Sequence, residues 1–354
     1  MTKKFVVWSD LHSHNYARYS TLINGVNSRL VDCLNVISEV KDFCVENTVK
    51  NAFFLGDLFH ARFKIDVEVF NAVYSELAKF KDEGIMLWLL AGNHDFAILR
   101  RKVSSIGTFE DIAEVILEPR SEIIDGLRFC FIPYYENTDK FKGAVDFFVK
   151  TAPDSQLLCH QGISEAFVRA GVHVREQVSE KDLQHQYFKG VLLGHYHMAQ
   201  TLVPNVLYVG AVLQHNWGDT GNKKGFIFLQ QKEGEELTLK RMETHAPKFV
   251  MLQTGWAITK TEVNGNFVKV ASKAPMDVLK IEKVKKTIKE LGASSVEFDV
   301  PVKTKLKKRI DVGLDMSYEK MIEKYVESNV VETKGFNKDK LIKVGKGVVE
   351  MSHD

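Results

Sequence analysis

Six apolar residues, Ile85 to Leu90, run without a break toward Gly92-Asn93-His94-Asp95. A strand with one solvated face alternates polar and apolar residues, so an unbroken run reads as a strand buried on both faces. The glycine ends the strand and lets the backbone turn sharply. Asn93, His94 and Asp95 then project from the carboxyl end of the sheet, where open α/β sheets place their ligands. Alone, Gly-Asn-His-Asp is equally well a turn. The same handoff recurs, however. Asp10-Leu11-His12 follows the first apolar strand, and Gly56-Asp57 follows Ala52-Phe53-Phe54-Leu55. Cys159-His160-Gln161 ends a strand at Leu157-Leu158, and Gly194-His195-Tyr196-His197 ends one at Val191-Leu192-Leu193. Five strand ends that each deliver Asp, Asn or His make coincidence a poor explanation.

Carboxylate, amide oxygen and imidazole together suit borderline-hard divalent ions such as Mn, Fe or Zn. A donor set without cysteine argues against structural zinc, and a carboxylate shared by two ions argues for hydrolysis. Taken in order, Asp-x-His, Gly-Asp, Gly-Asn-His-Asp, a lone His and Gly-His-x-His span residues 10 to 197. As a set they resemble the calcineurin-like metallophosphoesterases. The resemblance implies two divalent metal ions, with Mn2+ favoured and Mg2+ or another divalent ion an alternative. Asp10, His12 and His197 would hold one ion, Asn93, His160 and His195 the other, and Asp57 would bridge them. Such a pair grips phosphate oxygens and activates a water for in-line attack. In the same pattern His94 is no ligand; it faces the leaving oxygen, and Asp95 would orient it through the far ring nitrogen. For His160 alone a satisfied structural imidazole is the better reading, and only its place in the series reverses that. His14, His173, His185, His215 and His245 match no ligand position and read as structural.

At 354 residues the chain is too long for one small core, so two or three domains are expected. With 48 basic and 46 acidic residues it has no overall polyelectrolyte character. The balance is uneven, since residues 1–254 carry 28 Lys and Arg against 31 Asp and Glu, whereas residues 255–354 carry 20 against 15. A mildly basic tail permits nucleic-acid contact without demanding it. The four cysteines, Cys33, Cys44, Cys130 and Cys159, show no Cys-x-x-Cys spacing and read as buried reduced thiols. Lys3-Lys4 leads straight into a strand, and no run approaches the ~18 apolar residues of a membrane span. A cytoplasmic protein is expected.

Residues 28–46 read as an amphipathic helix through Leu30, Leu34, Ile37, Val40 or Lys41, and Cys44. Residues 66–81 read as another, capped by Asp66 and apolar at Val67, Phe70, Val73, Tyr74, Leu77 and Phe80. Strand and helix alternate over the first ninety residues, which implies right-handed βαβ crossovers. A short helix is expected after Gly107-Thr108, through Ile112, with strands near 115–117 and 128–133 and a helix over 139–150. Closely spaced strand candidates at 206–209, 225–229 and 236–240 predict a second, antiparallel sheet. The fold class is therefore α/β, a two-sheet sandwich flanked by helices, over residues 1–254. Residues 267–271, 275–291 and 295–300 form a β-α-β pattern of their own, a small α/β domain over 255–302. Residues 303–316 form a basic linker opening on Lys303-Thr304-Lys305-Leu306-Lys307-Lys308-Arg309. Two helices close the chain in 317–354, with Met316, Met321, Ile322 and Tyr325 on one apolar face and Leu341, Ile342 and Val344 or Val348 on the other.

Within the superfamily, protein phosphatases carry Asp-Arg-Gly after Gly-Asp and end the later motif in Glu. This chain has Gly56-Asp57-Leu58-Phe59-His60 and ends that motif in Asp95, which is similar to the Mre11/SbcD group of DNA repair nucleases. Tyr208-Val209-Gly210-Ala211, then Gly218-Asp219 and Lys224-Gly225-Phe226, resembles a further segment of that group, with Ala211 in place of its usual Ser. This resemblance implies a homodimeric DNA nuclease, exonuclease on duplexes and endonuclease on single strands. It also implies a DNA-capping role for 255–302 and docking of the C-terminal helices on an SMC-like ATPase of the Rad50/SbcC type. The short chain is most similar to the bacterial and phage (T4-type) members. His60, three residues past Asp57, would sit at the rim of the site and reach a DNA phosphate. The basic linker is by itself more often a solvated face than a binding site, and a nuclease site beside it reverses that balance. A small-molecule or cyclic-nucleotide phosphodiesterase would share all seven ligands without needing the last hundred residues. A catalytically silent scaffold would be expected to have lost a ligand, and none is lost.

Overall fold

Alternate side chains of each central strand are buried on opposite faces, and that pattern dictates the layers. The computed structural model describes residues 2–98, 103–169, 171–301, 316–330 and 337–351. The first six-stranded sheet runs, in spatial order, Thr238–Glu243, Gly225–Gln231, Lys3–Trp8, Asn51–Phe54, Met86–Leu90 and Glu114–Ile116. The second runs Gln200–Val203, Val206–Tyr208, Gly190–Gly194, Gln156–His160, Leu127–Ile132 and Arg120–Ile124. In both, the central strands are parallel; both edge strands of the second sheet pair antiparallel, whereas in the first the Thr238–Glu243 and Gly225–Gln231 side is antiparallel and the edge strand Glu114–Ile116 pairs in parallel. Phe5, Val7, Phe53, Leu55, Trp88 and Leu90 face Phe129, Phe131, Leu158 and Leu192 between the sheets. Phe53 and Phe129 rings meet at 4.8 Å, and Trp88 stacks on Phe131 at 5.7 Å. Val6, Trp8, Ala52 and Phe54 face the other way, under the helices Ser28–Glu46 and Val67–Asp82. The helix Thr138–Thr151 covers the outer face of the second sheet through Phe141, Val145 and Phe148. The result is a mixed α/β sandwich of two large sheets flanked by helices. All four cysteines are free and buried.

Several local expectations change. The strands over 206–243 do not make an antiparallel sheet of their own. Val206–Tyr208 pairs in parallel with Gly190–Gly194, while Gly225–Gln231 crosses to the other sheet and pairs with Lys3–Trp8. Spacing along the chain carries no information about such long-range pairing. The helix expected through Ile112 is a single 3-10 turn, Gly107–Phe109, and Arg120–Ile124 is a strand that the pattern did not reveal. In the second helix Val69, not Val67, faces the core, and Val67 is 73% exposed. Asp66 sits at the cap position but makes no side-chain bond to the helix; it accepts from Asn15 at 3.2 Å instead.

A third, all-parallel sheet comprises Phe249–Gln253, Phe267–Ala271 and Ser295–Asp299. Its first strand begins six residues before Gly255, the position where the sequence changes character. Leu252, Val268, Val270 and Ile288 give it a small core. It packs on the body through Tyr19, Trp217, Phe249 and Phe267, whose rings meet at 4.8 to 6.0 Å. Beneath this cluster lies Arg29, 1% exposed, which pairs with Asp32 at 3.2 Å and donates to the Gln214 carbonyl at 2.8 Å. Its guanidinium lies 4.8 Å from the centre of the Phe267 ring.

By contact the chain divides into one unit of residues 1–273 and 281–300 and another of 274–280 and 301–354. In the second, the helices Tyr318–Asn329 and Lys338–Met351 pack together, with Gly345 against Ile322 and Lys346 paired to Glu323. Val326 is buried, whereas Val344 and Val348 remain 60% and 63% exposed. The basic segment 303–309 lies outside the described residues. Among the described residues no helix is long and apolar enough to cross a membrane.

Removing a buried guanidinium leaves its carbonyl and carboxylate partners without a donor. Arg29→Ala should therefore lower the unfolding free energy by about 3 kcal/mol in urea titration. A loss under about 1 kcal/mol would show that the aromatic cluster holds the third sheet without it.

Candidate active site

The parallel strands of both sheets end at one place, and the backbone there is bent in ways few residues adopt. Asp10, His12, Asp57 and His195 have φ of 55°, 49°, 62° and 104°, in the left-handed region that costs a side chain on the order of 1–3 kcal/mol. Each turn puts its side chain inward. Hydrogen bonds between the loops hold the turns: Asp10 N–H to the Gly56 carbonyl at 3.0 Å, His12 N–H to the Asp57 carbonyl at 2.9 Å, and His94 N–H to Asp57 Oδ1 at 2.7 Å. Two glycines are required by close approach. A Cβ at Gly92 would lie 2.3 Å from Asp57 Oδ1, and one at Gly194 would lie 2.2 Å from the Leu55 carbonyl.

All seven expected ligands meet here. Asp57 lies between two groups, with Oδ2 3.5 Å from His12 Nε2 and Oδ1 3.5 Å from His160 Nε2. His12 Nε2 is 3.0 Å from His197 Nε2, and Asn93 Oδ1 is 3.0 Å from His160 Nε2 and 2.9 Å from His195 Nδ1. Asp10 accepts from the His195 N–H at 3.2 Å. Donor atoms of Asp57, His160 and His195 cluster within 4.8 Å, and so do those of Asp10, His12 and Asp57.

This donor set fits a pair of divalent cations. Burial pushes the imidazoles of His195 and His197 down to about 3 and that of His12 well below its usual value, so all three present lone pairs. His160 behaves oppositely: burial would lower it, but Asp57 beside it raises it to about 9. Burial would raise Asp57, yet His160 and His12 hold it well below the carboxylate range. Asn93 can meet the cluster in two ways. With Oδ1 inward, its NH2 lies 2.6 Å from Arg62 Nη2, donor against donor; turned over, its oxygen accepts from Arg62 and its NH2 faces the imidazoles. A cation requires the oxygen inward, and Arg62 is exposed.

Asp95 is not the orienting partner of His94. Its carboxylate accepts from the backbone N–H groups of Asp57 at 2.7 Å, Leu58 at 2.9 Å and Gly92 at 2.8 Å. It is fully buried, and burial raises it to about 7 against the pull of those bonds. Asp95 therefore ties the second and third strand ends together. His94 takes its orientation from the His60 carbonyl, 2.6 Å from Nδ1. A carbonyl only accepts, so the proton is fixed on Nδ1 and Nε2 is left for exchange. His60 is exposed, and its ring stacks on that of His94 with centroids 5.7 Å apart. Both line a cavity of about 570 Å³ that is also walled by Tyr16, Arg18, Tyr19 and Trp217.

Three residues without a local signal in the sequence join the site. His215, read as structural, has its ring 4.7 Å from that of His197 and 5.1 Å from that of His12. Arg62 reaches the Asn93 amide, and Arg29 lines the cavity. None had a local signal, because each arrives through a turn or a helix register. His173, His185 and His245 bond elsewhere, to the Ala166 carbonyl, Glu180 and Glu39.

A sandwich of two mixed sheets that gathers carboxylate, amide and imidazole donors at its strand ends defines a metal-dependent phosphoester hydrolase. The family model for calcineurin-like phosphoesterases matches residues 3–199, and the chain belongs to that family, whose members use two divalent metal ions. A solved structure described as a novel archaeal phosphodiesterase is similar at 14% identity and a TM-score of 0.34, over 68% of this chain and 99% of that one. A dimetal phosphatase from Danio rerio is similar at 10% identity and a TM-score of 0.42, over 68% and 96%. No curated protein matches the chain.

His94→Gln should lower turnover by about 10²–10⁴-fold, the scale of a lost acid–base group, while elemental analysis finds unchanged metal content. Metal loss in this variant would move His94 into the coordination set.

Proposed function

We propose that the protein is a DNA nuclease of the Mre11/SbcD kind, hydrolysing phosphodiesters with two divalent ions, Mn2+ in preference. Asp10, His12 and His197 hold one ion, and Asn93, His160 and His195 hold the other. Asp57, which lies between His12 and His160, would serve both. When bound, the ions grip phosphate oxygens and lower the pKa of a water. The remaining work falls to side chains. His94, with its proton fixed on Nδ1, stabilises or protonates the leaving oxygen through Nε2.

The observation that carries this reading beyond the family is His60. Gly-Asp-Leu-Phe-His is the segment that resembles the nuclease group, and its histidine stands exposed at the cavity mouth, stacked on His94. The second matching segment also has a physical reason at this site. Buried Asp219 and Lys224 pair at 2.6 Å, and Lys224 donates to the His197 carbonyl at 2.7 Å. The third sheet supports the reading too, because Tyr19 and Trp217, which join it to the body, line the same cavity. DNA is the proposed substrate, with 255–302 as a capping element. The two C-terminal helices, with Val344 and Val348 exposed, are proposed to dock on an SMC-like ATPase. A homodimer is part of the same reading.

His60→Ser tests it. Exonuclease activity on a labelled duplex with Mn2+ should fall at least about tenfold more than turnover of bis-p-nitrophenyl phosphate, because only the polymer reaches the rim. Equal losses on the two substrates, or no duplex cleavage by the wild type, would favour a small-molecule phosphodiesterase.

A further inference from the structure

His215 carries an unanswered lone pair at the metal site. Its Nε2 donates to the Asp10 carbonyl at 3.1 Å, and because a carbonyl only accepts, the proton sits on Nε2. Nδ1 is therefore bare. It is buried and has no hydrogen-bond partner. Buried polar atoms are almost always paired, so a bare nitrogen on a ring packed against two expected metal ligands asks for a donor or a cation. One nitrogen from each of His12, His197 and His215 lies within 4.8 Å of the other two. The three rings pack closely, His215 edge-on to His12 at 87° and tilted 59° to His197.

The placement of His215 is built into the fold. Asp219 Oδ2 accepts its backbone N–H at 2.9 Å, and the same carboxylate pairs with Lys224, which donates to the His197 carbonyl. One buried ion pair thus sets two of the three imidazoles. A purely structural histidine would account for both ring nitrogens, whereas the bond to Asp10 accounts for one.

We propose that His215 is a further metal ligand, supplying a third imidazole to the ion held by Asp10, His12 and His197. This inference rests on the two-metal reading above. It makes the two positions unequal. Three imidazoles and carboxylate favour Fe2+, Co2+ or Zn2+, whereas the position of Asn93, His160 and His195 has an amide oxygen in place of one imidazole and is harder. The Mn2+ preference proposed above then belongs to the position of Asn93, His160 and His195, and the softer ion to the one beside His215.

The test is Co2+ titration of the full-length protein, followed by calorimetry and visible absorption, for wild type, His215→Ala and His215→Gln. The glutamine keeps a donor for the Asp10 carbonyl. Both variants should bind Co2+ about tenfold or more weakly at one position and within twofold of wild type at the other, with a changed visible spectrum. Two sites of wild-type affinity and spectrum in both variants overturn the proposal and leave the two-metal reading intact. So does weak binding by the alanine variant alone, with a lowered thermal midpoint of the metal-free protein, because His215 is then structural. A wild type that binds fewer than two Co2+ ions overturns the two-metal reading, and this inference with it.

Discussion

Asp57 is 2% exposed, and everything around its carboxylate exists to keep it charged and in place. An isolated buried carboxylate would take up a proton, since burial disfavours the charged form. Here His12 and His160 each face one of its oxygens, and the His94 N–H donates to it. Its own N–H is held by Asp95, and its carbonyl by the N–H of His12. Three strand ends are fixed to one another through this residue and Asp95. The cost is four side chains in left-handed backbone, which persists only where the surroundings over-determine it.

The sandwich supplies that rigidity. Strands buried on both faces cannot slip by one residue without exchanging their core and helix-facing sides. Phe5, Phe53, Phe129 and Phe131 interlock between the sheets and fix how the two sets of strand ends meet. Asp10, Asp57 and Asn93 come from one sheet, and His160, His195 and His197 from the other. The site is thus a product of sheet-on-sheet packing, and a phosphoester hydrolase follows from the donors gathered there.

What could be read from the sequence was what depends on local pattern. Apolar runs ending in Gly, Asp, Asn or His located the parallel strands and the seven donors, because a ligand at a strand's carboxyl end needs no knowledge of the partner strand. Helical spacing located the two helices over the first sheet. The partner of Asp95 could not be read, since its carboxylate turns back under its own loop rather than toward the adjacent His94. Gly225–Gln231 could not be assigned to the first sheet, because nothing in its residues distinguishes one edge from another. Arg29 and His215 were missed for the same reason. A basic residue in a helix's first turn and a histidine past a strand look exposed until distant chain covers them.

Sharing of the Asp57 carboxylate between the two proposed ions is open to direct test. The direct measurement is the metal content of Asp57→Asn after equilibration with Mn2+, set beside the wild type. An asparagine keeps the shape and removes the shared charge. Two equivalents are expected in the wild type and a joint loss of both in the variant. Retention of one full equivalent would show that Asp57 serves a single ion.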